Sequence, residues 1–154
     1  MLRQGRLANP YYQAQAMLAR RDHSTVTLTA KLRRQGFSAE QVRSTVARLQ
    51  NSGLLNDERF TGNYIDAVLR RKPVGPLWLQ HKLRQQGIEP ELITAALHLA
   101  FPPGREEEIA RRAAAAWRRL HPSRPPHIDA LARFLASRGF SAAVISACHT
   151  SARD

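Results

Sequence analysis

At 154 residues, with 43% hydrophobic and only 6% aromatic side chains, the chain holds enough for one ordinary domain or a few small repeated units, and little for large packed sheets. Its 24 lysines and arginines against 12 acids give a net charge of +12, which points to a polyanionic partner, nucleic acid first. No apolar run approaches the ~20 residues of a membrane span, Met1 to Arg6 lead into no apolar signal stretch, and the lone Cys148 excludes an intrachain disulfide, so a cytoplasmic protein with no membrane partner is expected.

The first predicted helix is short and irregular, near Tyr12, Ala16 and Leu18. The second runs into Leu28-Thr29-Ala30-Lys31-Leu32-Arg33-Arg34-Gln35-Gly36-Phe37. Leucines at i and i+4 share one face, and the glycine suits the left-handed position that ends a helix, with the apolar residue after it folding back. Ser38 and Gln41 then form a predicted capping box for a third helix. The stretch Gly53-Leu54-Leu55-Asn56-Asp57 reads as a joint, with Asn56 and Asp57 as caps for a helix whose apolar stripe is Phe60, Tyr64, Ala67 and Val68.

After Lys72-Pro73-Val74-Gly75-Pro76 the glycine-anchored pattern returns as Leu79 to Ile88 around Gly87, and Pro90 suits the first turn of the helix that follows. Pro102-Pro103-Gly104 is the second joint. Glu106, Glu107 and Glu108 then favour the N-terminal dipole of a helix with Ile109, Ala113, Ala116, Trp117 and Leu120 as its stripe. The proline-rich run from His121 to Pro126 interrupts it, and the pattern returns a third time as Leu131 to Phe140 around Gly139, with Ser141 as a cap. The anchoring glycines lie 51 and 52 residues apart, each with leucines eight and four places before it, and Val42, Ile93 and Ile145 each sit six places after one. The expectation is an all-α chain of tandem three-helix repeats, nine helices in all, divided at 1–55, 56–103 and 104–154, in an elongated, curved arrangement.

Catalytic chemistry finds no support. The eight glycines are scattered singly, and the six histidines show neither helical metal spacing nor paired cysteines. Cys148 falls at the apolar position matching Thr45 and Ala96, and its neighbour His149 points about 100° away on a helix, so it reads as a core cysteine. Asp57, Glu58 and the Glu106–Glu108 run read as helix caps and dipole partners. No catalytic residue, cofactor or metal is expected.

Binding is better supported. Net charge is +7 in residues 1–55, +1 in 56–103 and +4 in 104–154. Much of it sits in Arg20-Arg21, Arg33-Arg34, Arg70-Arg71-Lys72, Arg111-Arg112 and Arg118-Arg119. Lys31 and Lys82 share a repeat offset, as do Arg33 and Arg84, and such recurrence could line one concave surface with charge for phosphates or an acidic protein face. The alternative is that these arginines merely solvate helix exteriors. Trp78 and Trp117 read as interhelical packing rather than stacking platforms.

Taken in order, Leu18-Ala19-Arg20-Arg21-Asp22-His23-Ser24, Lys31 to Phe37, Gly53-Leu54-Leu55-Asn56-Asp57-Glu58-Arg59-Phe60, Gly75-Pro76, Leu83 to Ile88, Arg133-Phe134-Leu135 and Arg138-Gly139-Phe140 resemble the RecX family, regulators of the bacterial RecA recombinase. The resemblance runs across nearly the whole chain. It implies a fold of tandem three-helix repeats and a non-enzymatic protein that lies along RecA filaments on single-stranded DNA, limiting their growth, strand exchange and co-protease activity. Double-stranded DNA is a further partner and a monomer the default state. Where the family usually has a basic residue and then a glutamate after the Gly-Pro pair, this chain has Trp78 and Lys82. A rival from another class is a basic, helix-turn-helix-like nucleic-acid binder that acts without RecA.

Overall fold

The computed structural model describes residues 9–122 and 128–150. Met1 to Arg6 and most of the proline-rich run, Pro125 and Pro126 included, lie outside the described residues. The regular elements among those described are nine α-helices: α1 (Pro10–Arg20), α2 (Thr25–Arg34), α3 (Ala39–Asn51), α4 (Asp57–Arg71), α5 (Pro76–Gln85), α6 (Pro90–Ala100), α7 (Arg105–Leu120), α8 (Ile128–Ser137) and α9 (Ala142–Thr150). They pack in threes, α1 to α3, α4 to α6 and α7 to α9, each around its own apolar cluster.

The three clusters are built alike. Leu28 and Leu32, Leu79 and Leu83, and Leu131 and Leu135 are the inward residues of α2, α5 and α8, spaced to stack on one face. Each of these helices ends in the same way. The amides of Phe37, Ile88 and Phe140 donate to the carbonyls of Leu32, Leu83 and Leu135, while those of Gly36, Gly87 and Gly139 donate to Arg33, Arg84 and Ala136. This paired bonding satisfies the last-turn carbonyls and turns the following apolar residue back onto the core. The third helix then starts at once: Ser38 and Gln41 form a reciprocal capping box, Pro90 occupies the first turn of α6, and the Ser141 hydroxyl accepts from the Val144 amide.

Two stripes differ from expectation. The inward side of α1 is Ala14 flanked by Tyr11, Met17 and Leu18, whereas Tyr12 is 69% exposed, because residues 11, 14 and 18 fall on one side at about 100° per residue and 12 and 16 on the other. In α7 the buried set is Ile109, Ala110, Ala113 and Ala114 with Trp117 beside it, and Leu120 in the last turn is 79% exposed at the edge of that stripe. In α4 the deepest residues are Thr61 and Ile65.

Consecutive repeats are joined by one recurring device. The start of the second helix of one repeat sits on the glycine turn of the next. At the first joint the Ser24 hydroxyl, which caps α2, donates to the Gln86 carbonyl at 2.6 Å, and the Thr27 hydroxyl reaches Gln86 Oε1 at 3.2 Å. At the second, the Gly75 amide donates to the Arg138 carbonyl at 2.8 Å and the Leu77 amide to Gly139 at 3.1 Å. Gln86 and Arg138 are the residues immediately before their turn glycines. The second joint is backbone on backbone, so the α5 start needs no side-chain cap: Pro76 has no amide to satisfy and Leu77 is satisfied from the next repeat.

Candidate functional site

Twelve of the fourteen cations singled out from the sequence stand at helix C-terminal ends, where they also complement the dipole. Arg20 and Arg21 end α1, Lys31, Arg33 and Arg34 form the last turn of α2, Arg70, Arg71 and Lys72 end α4, and Arg118 and Arg119 end α7. Lys82 and Arg84 likewise lie in the last turn of α5, and Arg111 and Arg112 lie within α7. Among the described residues the one ion pair is Arg105 with Glu108 at 3.3 Å, so no carboxylate neutralises any of these cations.

The fold gathers some of them and separates others. In the first repeat Arg21 and Arg34 stand close enough to Lys31 that, after its partial burial, they lower the pKa of its ammonium. Arg33, two residues on, points about 200° away and lines the shallow groove between α2 and α3 with Arg43 and Gln50. In the second repeat Lys72 and Lys82 converge on Trp78, their ammonium nitrogens 4.0 Å and 5.4 Å from its ring centroid. Lys72 and Lys82 stand 51 residues after Arg21 and Lys31, so the same pair of positions, the cap of the first helix and a site on the second, carries the basic cluster twice. Trp78 is half-buried, its backbone lying against Gly139 and its ring held by the two lysines. In the third repeat Arg111 and Arg118 both lie near the Cys148 thiol. No contact described ties Arg20, Arg70, Arg71, Arg84, Arg112 or Arg119 to either cluster.

Three polar residues gained roles that sequence patterning does not display. Asp57 does not cap its own helix, since Asn56 does so through the Arg59 amide. Its carboxylate instead accepts from the Thr25 amide at 2.7 Å and the Thr25 hydroxyl at 3.1 Å, bonding the start of α2 across the first joint. Glu106 accepts from the Ser141 amide at 2.7 Å and so ties α7 to the start of α9. His23 is buried beside the first cluster, and burial, then Lys31 and Arg21, lower its imidazole pKa below the ordinary value, with Asp22 opposing them.

Cys148 is buried in the third core, and that burial raises its thiol pKa above the ordinary cysteine value against the pull of Arg111 and Arg118. A thiol so held is packing material rather than a nucleophile. Among the described residues no cluster of three or more His, Cys, Asp or Glu has metal-binding geometry, and no helix is long and apolar enough to cross a membrane.

Residues 11–49 match the family described as RecX, first three-helix domain, and residues 56–97 match RecX, second three-helix domain. The chain is 31% identical over 144 residues to a regulatory protein RecX of Legionella pneumophila (strain Corby), covering 91% of this chain and 92% of that protein. It is 35% identical over 140 residues to a regulatory protein RecX of Pseudomonas fluorescens (strain SBW25), covering 86% of this chain and 84% of the relative. Two crystal structures share the fold. A regulatory protein RecX superposes with a TM-score of 0.83 at 22% identity, over 93% of this chain and 71% of its own, and RecX from Lactobacillus salivarius with 0.83 at 18%, over 92% and 93%. With two successive three-helix domains matched in order and a relative similar along nearly its whole length, the chain belongs to the RecX family of regulatory proteins.

Proposed function

We propose that this chain is a non-enzymatic regulator that binds RecA filaments on single-stranded DNA and restrains their recombinase, ATPase and co-protease activities. The observation that carries the reading is its similarity to regulatory proteins RecX over 91% of its length. The unneutralised cations support it physically. A body with two equivalent basic clusters, Arg21, Lys31 and Arg34 in one repeat and Lys72 and Lys82 in the next, offers a polyanion several weak contacts in series, and linked weak contacts give avidity that no single one supplies. On this reading the working units are 1–55, 56–103 and 104–154, and the protein acts in the cytoplasm as a monomer.

The test is the ATPase rate of RecA on single-stranded DNA with the protein titrated in. Loss of activity at substoichiometric amounts is expected. No effect at excess, with salt-sensitive binding to naked DNA intact, would replace this reading with that of a basic nucleic-acid binder working without RecA.

A further inference from the structure

The second repeat carries an unfilled slot that the first repeat fills from its own chain. Between α1 and α3 the Tyr11 ring packs on the core beneath the Arg48 guanidinium, 3.8 Å from the ring centroid. The 51-residue offset carries Ala14 onto Ile65 and Thr45 onto Ala96, Tyr11 onto Gly62 and Arg48 onto Leu99. The aromatic plug has thus become a glycine and its cationic lid a leucine.

The consequence is a groove of about 570 Å³ between α4 and α6, floored by Ile65, Leu92 and Ala96. A methyl group added at Gly62 would meet nothing within 4 Å. Leu99, beside it, is 82% exposed, the most exposed large apolar residue described. The rim is acidic although the chain is strongly basic: Glu58 and Asp66 line it, and among the described residues neither is paired with a cation. Arg59, the one cation on the rim, spends its guanidinium on the carbonyls of Gly53 and Leu54 at 3.0 Å and 3.1 Å.

We propose that this groove is a protein-docking slot that takes an aromatic side chain together with an adjoining lysine or arginine from the partner, reproducing in trans the ring and cation that Tyr11 and Arg48 supply in cis. Two free carboxylates attract the cation and repel phosphate, so the occupant is protein rather than nucleic acid. The proposal deepens the reading of the chain as a filament regulator, and rests on it for the partner's being the recombinase. It assigns the acidic, apolar side of the second repeat to protein and leaves the basic clusters to other contacts.

The slot is tested on the full chain by titrating N-acetyl-Phe-Arg-amide and following backbone amide resonances. Saturable shifts at Gly62, Ala95 and Ala96 are expected, at least fivefold weaker with N-acetyl-Phe-Glu-amide or N-acetyl-Ala-Arg-amide. The double substitution Gly62→Tyr, Leu99→Arg transplants the plug and should abolish them. It should also weaken binding to RecA filaments at least tenfold while leaving affinity for an oligo-dT strand unchanged. If that variant does not fold, Glu58→Lys with Asp66→Lys, both at the exposed rim, should give the same loss. An absent or side-chain-indifferent response, a response of the same amides to oligo-dT, or unchanged filament binding by the plugged variant would each overturn the slot. If the unaltered protein itself fails to bind filaments, the choice of partner fails with the functional reading, and the peptide titration still decides the slot.

Discussion

Ser24 is fully buried, and its hydroxyl does two jobs, accepting from the Thr27 amide to cap α2 and donating to the Gln86 carbonyl to close the first joint. Ser24→Ala removes both at once and leaves the amide and the carbonyl without those partners, so a loss of about 1–3 kcal/mol is expected from urea unfolding. Hydrogen exchange should place the loosening at Thr27 and at the Gly87 turn rather than in the third repeat, because each repeat leans mainly on its neighbour. His23, the residue before it, adds a pH dependence. Its folded-state pKa is lowered by burial first and by Lys31 and Arg21 after, so the unfolded chain binds the proton more readily. Stability from this group is therefore fully present above the ordinary imidazole value of about 6.5 and is lost as pH falls below it. His23→Gln should flatten the fall in melting temperature between pH 7.5 and 5, and a variant as acid-sensitive as the parent would remove His23 as the cause. Neither role is visible in the sequence. Ser24 enters there only as the end of the Leu18 to Ser24 segment, and its partner Gln86 is 62 residues away.

At the scale of the helix and its turns, the sequence was most informative where physics is local. Leucine spacing, the capping box at Ser38 and the three glycine turns all follow from contacts within a few residues, and all stand in the structure. The contacts between repeats were not legible, because backbone-to-backbone bonds such as Gly75 to Arg138 leave no side-chain pattern to read. Asp57 misled because its partner is distant in sequence: its position suggests a cap for α4, yet its carboxylate accepts from Thr25 at the start of α2. Of the binding candidates, the cations could be counted, but which of them meet required the fold. Arg21 and Lys31 lie on different helices, and Lys31 and Arg33, neighbours in sequence, point apart. The joint makes a further distinction. Gly36 and Gly139 both have positive φ, +94° and +79°, so alanine is strained at either. At Gly36 the added methyl meets nothing within 4 Å, whereas at Gly139 it would collide with the Trp78 backbone. Gly36→Ala should cost only the left-handed penalty of about 1–2 kcal/mol. Gly139→Ala should cost clearly more and shift the Trp78 fluorescence, since backbone cannot step aside as a side-chain tip would. Equal losses at the two glycines would mean that the second joint does not hold the third repeat.

Across the whole molecule, charge of +12 with one ion pair among the described residues means that the cations are held for something outside the chain, or are simply solvated. Salt dependence separates these. A cation that meets a phosphate releases a counterion, and each such contact on a single strand steepens the fall of log affinity with log salt by about 0.7. If the five residues of the two equivalent clusters, Arg21, Lys31, Arg34, Lys72 and Lys82, each meet one phosphate, together they account for a slope of roughly −3.5. Replacing all five with glutamine should remove that much of the slope, measured by anisotropy of labelled oligo-dT between 50 and 200 mM salt, without altering the melting temperature greatly, since none of them has a carboxylate partner to lose. Trp78 needs separate control because Lys72 and Lys82 brace its ring. Its emission reports whether the second cluster has come apart for structural reasons. Replacing Arg111, Arg112, Arg118 and Arg119 instead tests the third repeat, where Arg111 and Arg118 stand near the Cys148 thiol of α9 and none of the four shares the recurring positions. A slope that drops with the first set and not the second would make the two-fold repeated cluster the polyanion contact. A slope that drops equally with either set would mean that affinity follows total charge, and that the recurrence of Arg21 and Lys31 as Lys72 and Lys82 comes from repeat ancestry rather than from a built surface.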